Sequence, residues 1–178
     1  MGRQGNIMPY VVRLSPARFE HLLAGVVLWV VCLWWHQRRG EKTLLHPVAV
    51  LLAMPGLYLG TALSDWDIWL LGIGGHRNPL FHSALPYFVL AWVWRTVGIE
   101  AMIQRLGGVR LNLAVHVGFS VGLASHMLLD IWQYGDVRWI PGGTLDRLWL
   151  GGHAALLGGV ACFPRVLLGG SSLPPRVT

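Results

Sequence analysis

Charged side chains are scarce in this chain. Asp, Glu, Lys and Arg make up 12% of its 178 residues, about half the share found in soluble domains. Lys42 is the only lysine, and the two cysteines, Cys32 and Cys162, lie in separate apolar stretches with no second thiol nearby. The scarcity of charge argues against an ordinary soluble domain. The isolated thiols argue against a disulfide framework and against a structural zinc site of the cysteine type.

Apolar and aromatic residues are abundant instead. Hydrophobic residues make up 54% of the chain, its mean hydropathy is +0.52, and it contains ten Trp, a residue that favours membrane–water interfaces. We therefore predict an integral membrane protein whose first partner is the lipid bilayer. The formal charge of +6 comes almost entirely from arginines scattered through short loops. This pattern suits anionic lipid headgroups, and we expect no nucleic-acid partner.

Five apolar stretches approach the roughly 20 residues that a membrane-spanning helix needs. They are Phe19–Trp35, Leu44–Leu63, Phe81–Ile99, Leu111–Trp132 and Leu148–Gly169. Paired glycines and Pro164 interrupt the last of them. The prediction is an all-α, polytopic integral membrane protein with four or five transmembrane helices. We expect a single helical domain over residues 1–170 and a disordered tail at residues 171–178.

Alternating spans place most of the histidines and aspartates at one membrane face. This set comprises His21, Asp65, Asp67, His76, His82, His126, Asp130 and His153. Three other histidines fall at the opposite face, namely His36, His46 and His116. Ionisable groups at membrane depth are costly to bury and are functional by default. The positive charges are balanced between the two faces, so the side of the membrane that holds the cluster stays open.

The spacing of these residues suggests how each is presented. His126 and Asp130 in "ASHMLLDIW" are four residues apart, which puts both side chains on one face of a helix. We expect a loop at the end of the second span. Asp65 and Asp67 in this loop point the same way only if the stretch is extended, since a helix would separate them by about 200°. Pro79 disfavours helix at the residue before it, so we expect the third span to begin after Pro79, with His82 in its first turn.

Imidazoles and carboxylates together are typical ligands of zinc, manganese or iron. Such an ion lowers the pKa of a bound water towards about 7 and makes it nucleophilic. Arg77, beside His76, has the planar fork that holds a phosphate. The alternative is a non-catalytic membrane protein, either a transporter or an assembly subunit, whose His/Asp cluster is structural.

Three stretches resemble the YdjM-type family of predicted bacterial membrane-bound metal-dependent hydrolases: "SDWDIWL", "HRNPLFHS" and "GLASHMLLDIWQYGDVRWIP". The resemblance covers about residues 55–141. It implies a set of metal ligands and their supporters, namely Asp65, Asp67, His76, His82, His126 and Asp130. The stretch "EHLLAG" resembles the N-terminal helix of such proteins and adds His21. Arg77 and Ser83 fit as supporting or substrate-binding groups, and whether His153 joins them stays open.

The resemblance also implies an activity. We expect metal-activated water to hydrolyse a phosphoester, including a lipid-like one, in the bacterial inner membrane, with zinc as the first choice of metal. Asp65 or Asp67 would act as general base and Arg77 would neutralise the phosphate. Two departures leave the substrate open: Ser64 stands where the family usually has Pro, and Asn78-Pro79-Leu80 replaces a small Gly-containing insert. The number of metal ions and the oligomeric state are open as well.

Overall fold

The computed structural model describes residues 16–72, 77–99, 102, 109–134, 137 and 143–164. Within these residues the chain is all-helical, as predicted, and contains no strand. The helices are α1 (Pro16–Arg38), α2 (Pro47–Leu63), α3 (Trp66–Leu71), α4 (Leu85–Thr96), α5 (Val109–Gln133) and α6 (Thr144–Cys162), with a 3-10 turn at Lys42–Leu45. The predicted ligand His76 and the predicted tail at residues 171–178 lie outside the described residues.

Each of the five predicted spans overlaps a helix, but the helices differ in length. Two helices in the described part of the chain are long and apolar enough to cross a membrane, over Phe19–Arg38 in α1 and Asn112–Gln133 in α5. Helix α2 is apolar but has 17 residues, and α4 has 12. The structure therefore supports two candidate spans, and the polytopic arrangement remains a prediction.

The prediction for the polar stretch after α2 needs two corrections. A six-residue helix, α3, occupies the region expected to be a loop. Helix α4 begins at Leu85, so His82 precedes the helix and does not lie in its first turn. The reason is local: Pro86 sits in the first turn of α4, where its missing N–H costs no hydrogen bond.

Helix α5 is the centre of the bundle. Of its candidate span, 78% is buried inside the protein, compared with 28% for α1. Helices α1, α2, α4 and α6 all pack against it. Side chains projecting from α5 can therefore meet groups from several other helices.

Glycines let α2 and α5 approach until their backbones touch. A Cβ atom added at Gly60 would lie 2.4 Å from the carbonyl oxygen of Phe119, and one at Gly122 would lie 2.3 Å from that of Leu57. Small residues at such crossings permit close packing of membrane helices. The contact brings Thr61, the residue after Gly60, close to His126, one turn beyond Gly122.

Helix α1 joins this pair through another glycine. A Cβ atom at Gly25 would lie 3.2 Å from both Oγ of Ser125 and Cγ2 of Thr61. His21 is four residues earlier on α1, which places it on the same helix face one turn away. The contact at Gly25 thus places His21 beside the end of the α2–α5 crossing.

Candidate metal centre

His126 lies on α5 and is 1% exposed. Its Nδ1 is 2.8 Å from the carbonyl oxygen of Thr61. A carbonyl oxygen can only accept, so Nδ1 carries the hydrogen and donates it. The lone pair is then on Nε2, the arrangement found in metal-binding histidines whose other nitrogen is held by an acceptor.

The carboxylate of Asp130 lies between two histidines. Its Oδ2 is 3.4 Å from Nε2 of His126 and 3.3 Å from Nε2 of His82. Both distances exceed the roughly 2.7–2.9 Å of charge-assisted N–H···O hydrogen bonds. Tetrahedral zinc, with bonds of about 2.0–2.1 Å, places neighbouring ligand atoms about 3.3–3.4 Å apart. Each of these two contacts of Asp130 has the spacing of neighbouring ligand atoms around one ion.

His82 is oriented from behind in the same manner as His126. Its Nδ1 lies 3.3 Å from the carbonyl oxygen of Asn78 and 3.5 Å from Oδ2 of Asp67. Asp67 is fully buried and also accepts the Asn78 N–H at 2.9 Å. A carboxylate behind a histidine fixes the ring orientation and raises the basicity of the ligand nitrogen. Asp67 therefore occupies the position of a supporting group behind His82.

His21 completes the group from α1. Its ring centroid is 4.1 Å from that of His126. Ligand atoms of His21, His126 and Asp130 all lie within 4.8 Å of one another, and all three residues are buried. Nδ1 of His21 has no hydrogen-bond partner in the part of the chain that the structure describes. Buried polar atoms are rarely left unsatisfied. A metal ion held by this group would give the ring of His21 a partner.

Asp65 and Asp67 diverge because the chain turns into α3 between them. Asp65 occupies the position before α3 and Asp67 lies in its first turn. Oδ1 of Asp65 is 3.8 Å from Nε2 of His126, and the Asp65 side chain is 18% exposed. The two aspartates thus meet different histidines, with Asp65 at the more open edge of the site.

Arg77 lies over the turn that follows Asp130. Its guanidinium carbon is 3.8 Å from the ring centroid of Tyr134, and the Tyr134 N–H donates to the carbonyl oxygen of Asp130 at 2.9 Å. Arg77 also has a φ of 64°, the left-handed region that non-glycine residues seldom adopt. Such backbone strain clusters at functional sites.

Ser83 has a local structural role. Its Oγ donates to the carbonyl oxygen of Leu80 at 2.8 Å and accepts the N–H of Leu85 at 3.1 Å. These bonds close the turn before α4 and satisfy an N–H of its first turn. Ser83 therefore holds the turn that carries His82, and its supporting or substrate-binding role stays a prediction.

His153 meets the site only through Trp149 among the described contacts. Nδ1 of His153 donates to the carbonyl oxygen of Trp149 at 2.8 Å, and the two rings are 4.3 Å apart. The indole N–H of Trp149 donates in turn to the carbonyl oxygen of His82 at 3.1 Å. Helix α6 thus braces the backbone of His82.

Sequence reasoning missed three supporting groups: Thr61, Asn78 and Trp149. Thr61 and Asn78 act through main-chain carbonyls, for which no side-chain pattern is a signal. The turn at Asn78 did have a sequence signal, since Asn-Pro favours turn initiation. In the structure, Oδ1 of Asn78 accepts the Leu80 N–H at 2.9 Å.

The buried group of His21, His126 and Asp130 could hold a metal ion. His82 and Asp65 lie beside this group, with contacts of 3.3 Å to Asp130 and 3.8 Å to His126. No protein-family model, curated protein or solved structure matches this chain.

Proposed function

We propose that this protein is a polytopic membrane-bound, metal-dependent hydrolase of a phosphoester or lipid-like substrate. The observation that carries the proposal is the convergence of His82 and His126 on Oδ2 of Asp130 at 3.3 and 3.4 Å. Each histidine has its other nitrogen turned towards an acceptor. His21 supplies a further imidazole from α1. A zinc ion held by His21, His126 and Asp130, with His82 beside Asp130, would keep one position for a water and supply the Lewis acidity that activates it.

The protein's own groups have distinct roles in this proposal. Asp65 acts as general base, because it is the more exposed carboxylate of the site and its Oδ1 is close to His126. It takes the proton from the attacking water, as a base within hydrogen-bond reach of the site can. Asp67 and Thr61 hold the imidazole rings of His82 and His126 in place.

Arg77 binds the phosphate in this proposal. Its guanidinium rests on the face of Tyr134, which restrains a long side chain before substrate arrives. A guanidinium offers paired N–H donors to two phosphate oxygens. The choice of a phosphoester rests on Arg77 and on the resemblance to the YdjM-type family.

The membrane setting is supported by α1 and α5, which are apolar and long enough to span. We propose that α2, α4 and α6 complete a bundle of four or five spans in a bacterial inner membrane. The candidate centre then sits at one face, where His21 is near the start of α1 and Asp130 is near the end of α5.

Metal analysis of protein purified in detergent tests the centre directly. We expect bound zinc in the wild type, lost in His126→Ala, with hydrolysis of a phosphodiester or phospholipid following the metal content. A protein that binds no transition metal at micromolar free concentration would contradict the proposal. Bound metal without hydrolysis of any phosphoester would leave a metal-binding membrane protein and refute the enzymatic role.

A further inference from the structure

A long apolar groove runs down the outside of the bundle between α1 and α5. It encloses about 600 Å³. Its walls are aliphatic, with Leu23, Val27 and Val31 on α1 and Leu128 on α5 between about half and three-fifths exposed. These are the two helices that qualify as membrane spans. The groove therefore faces the region where lipid chains would lie.

The groove has the length of one lipid leaflet. Its lining on α1 extends from Glu20 to Val31, which corresponds to about 16 Å of helix at about 1.5 Å per residue. The hydrocarbon core of a bilayer is about 30 Å thick, so the groove covers about half of it. An acyl chain from one leaflet fits this depth.

One end of the groove is polar and lies level with the candidate metal centre. Gln133 donates its side-chain N–H to Oε2 of Glu20 at 2.9 Å, and both residues are exposed. Glu20 directly precedes His21, and Leu129 of the groove directly precedes Asp130. The groove and the centre thus occupy the same turns of α1 and α5.

The charge at this end selects a headgroup. Glu20 presents a carboxylate at the mouth of the groove, and the adjacent Trp132 is 87% exposed. A carboxylate beside an aromatic face attracts an ammonium group and disfavours a second negative charge. Away from this end the lining is apolar except for the buried Ser125. This charge pattern matches a zwitterionic phospholipid lying with its chain down the groove.

We propose that the α1–α5 groove is the acyl-chain subsite for a phospholipid with an ammonium headgroup, held with its phosphate end beside the metal centre. The inference rests on the proposed function for the fate of the lipid. The subsite itself is a binding property that can be measured without turnover. In this arrangement the lipid reaches the centre from within the bilayer.

Photo-crosslinking tests the subsite. The full-length protein is placed in vesicles of phosphatidylethanolamine and phosphatidylglycerol containing a trace of phosphatidylethanolamine with a diazirine on its acyl chain, and the labelled peptides are mapped by mass spectrometry. We expect labelling to concentrate on the groove faces of α1 and α5. Val27→Trp, which fills the groove, should reduce it by about tenfold, the effect of about 1.4 kcal/mol in binding.

Val30→Trp is the matched control. Val27 and Val30 lie on the same helix and are 58% and 57% exposed, but only Val27 lines the groove. Labelling in Val30→Trp should equal that in the wild type. Equal labelling in both variants, or labelling spread evenly over all lipid-facing helices, would show ordinary boundary lipid and overturn the subsite.

A second crosslinking experiment tests the headgroup preference. With matched diazirine probes, groove labelling by phosphatidylethanolamine should exceed labelling by phosphatidylglycerol, and Glu20→Gln should remove the difference. A preference that survives Glu20→Gln would overturn the assignment of the ammonium group to Glu20.

Kinetics separate this inference from the proposed function. Zinc-loaded Val27→Trp should lose about tenfold in kcat/KM on long-chain phosphatidylethanolamine and retain wild-type activity on soluble glycerophosphoethanolamine. An equal loss on both substrates, or on neither, would overturn the subsite while leaving the hydrolase. A wild type that cleaves neither substrate would refute the proposed function, and the crosslinking pattern would still decide whether the groove binds lipid.

Discussion

Two buried histidines at opposite ends of the bundle are held in different ways. His36, near the end of α1, is fully buried, with Nδ1 3.0 Å from Oε2 of Glu41 and Nε2 2.9 Å from the carbonyl oxygen of Ala161. His126 is equally buried, and its Nδ1 makes an equally short bond to Thr61. Among the described residues its Nε2 has only longer contacts, of 3.4 Å to Asp130 and 3.8 Å to Asp65.

The difference shows that burial by itself does not identify a ligand. Both ring nitrogens of His36 face acceptors at ordinary hydrogen-bond distances, so the ring has no capacity left and serves to join α1 to α6. His126 uses one nitrogen for anchoring and points the other at the carboxylates of Asp130 and Asp65. The direction of the second nitrogen separates a structural histidine from a candidate ligand.

Removing the imidazole of His126 or of His36 should give the largest difference in zinc affinity. His126→Ala should weaken zinc binding by more than about 100-fold, because it deletes a ligand, whereas deleting a supporting group costs about 10–100-fold. His36→Ala should leave zinc affinity unchanged and lower the free energy of unfolding by about 1–3 kcal/mol, since it leaves the buried Ala161 carbonyl oxygen without its partner. Zinc titration and thermal unfolding in detergent measure both. Comparable zinc loss in the two variants would erase the distinction.

The next effect concerns the carboxylate behind His82. Asp67→Asn should weaken zinc binding by about 10–100-fold, because it removes the charge that orients His82. Asp146→Asn is the control: Asp146 is also buried and accepts a backbone N–H, from Val137 at 2.8 Å. Zinc titration of both variants separates a supporting role from general destabilisation. Unchanged affinity in Asp67→Asn would remove Asp67 from the centre.

Helix packing should give a smaller effect that still reaches the site. Gly122→Ala drives a methyl group into the backbone of α2, and we expect a loss of about 1–3 kcal/mol in the free energy of unfolding. Zinc affinity should fall with it, because the Thr61 carbonyl moves away from His126. Thermal unfolding and zinc titration report the two changes.

Gly152→Ala serves as the control for Gly122→Ala. A Cβ atom at Gly152 meets nothing within 4 Å among the described residues, so alanine should stabilise α6 by about 0.5–1 kcal/mol through its better helix propensity. Equal destabilisation by the two substitutions would mean that the α2–α5 contact has no special role.

Ser83→Ala should give the smallest effect. Removing the hydroxyl that holds the start of α4 should cost about 1 kcal/mol of unfolding free energy, with zinc affinity within about twofold of the wild type. Thermal unfolding and zinc titration again provide the readout. A large loss of hydrolysis at unchanged stability would support the substrate-binding role predicted from the resemblance.

Local patterns in the sequence were enough to predict some parts of the site. The i, i+4 spacing of His126 and Asp130 fixes their shared face on any helix, and alternation of apolar stretches places His21 and His82 at the same end. The structure brings these four residues together. The helix α3 was not predicted, because its six residues are too few for periodicity to reveal a helix. The position of His82 before α4 was not predicted either.

The helical class, the apolar character of α1 and α5, and the set of imidazoles and carboxylates at one end can be predicted from the amino-acid sequence. These follow from composition and from the period of the helix, which are local properties. Which atoms meet depends on how the helices pack. The close approach of α2 to α5 at their glycines places a main-chain carbonyl behind His126, and the turn at Asn78 places Asp67 behind His82. Contacts between residues distant in the chain depend on backbone distances, and no pattern along one segment specifies them.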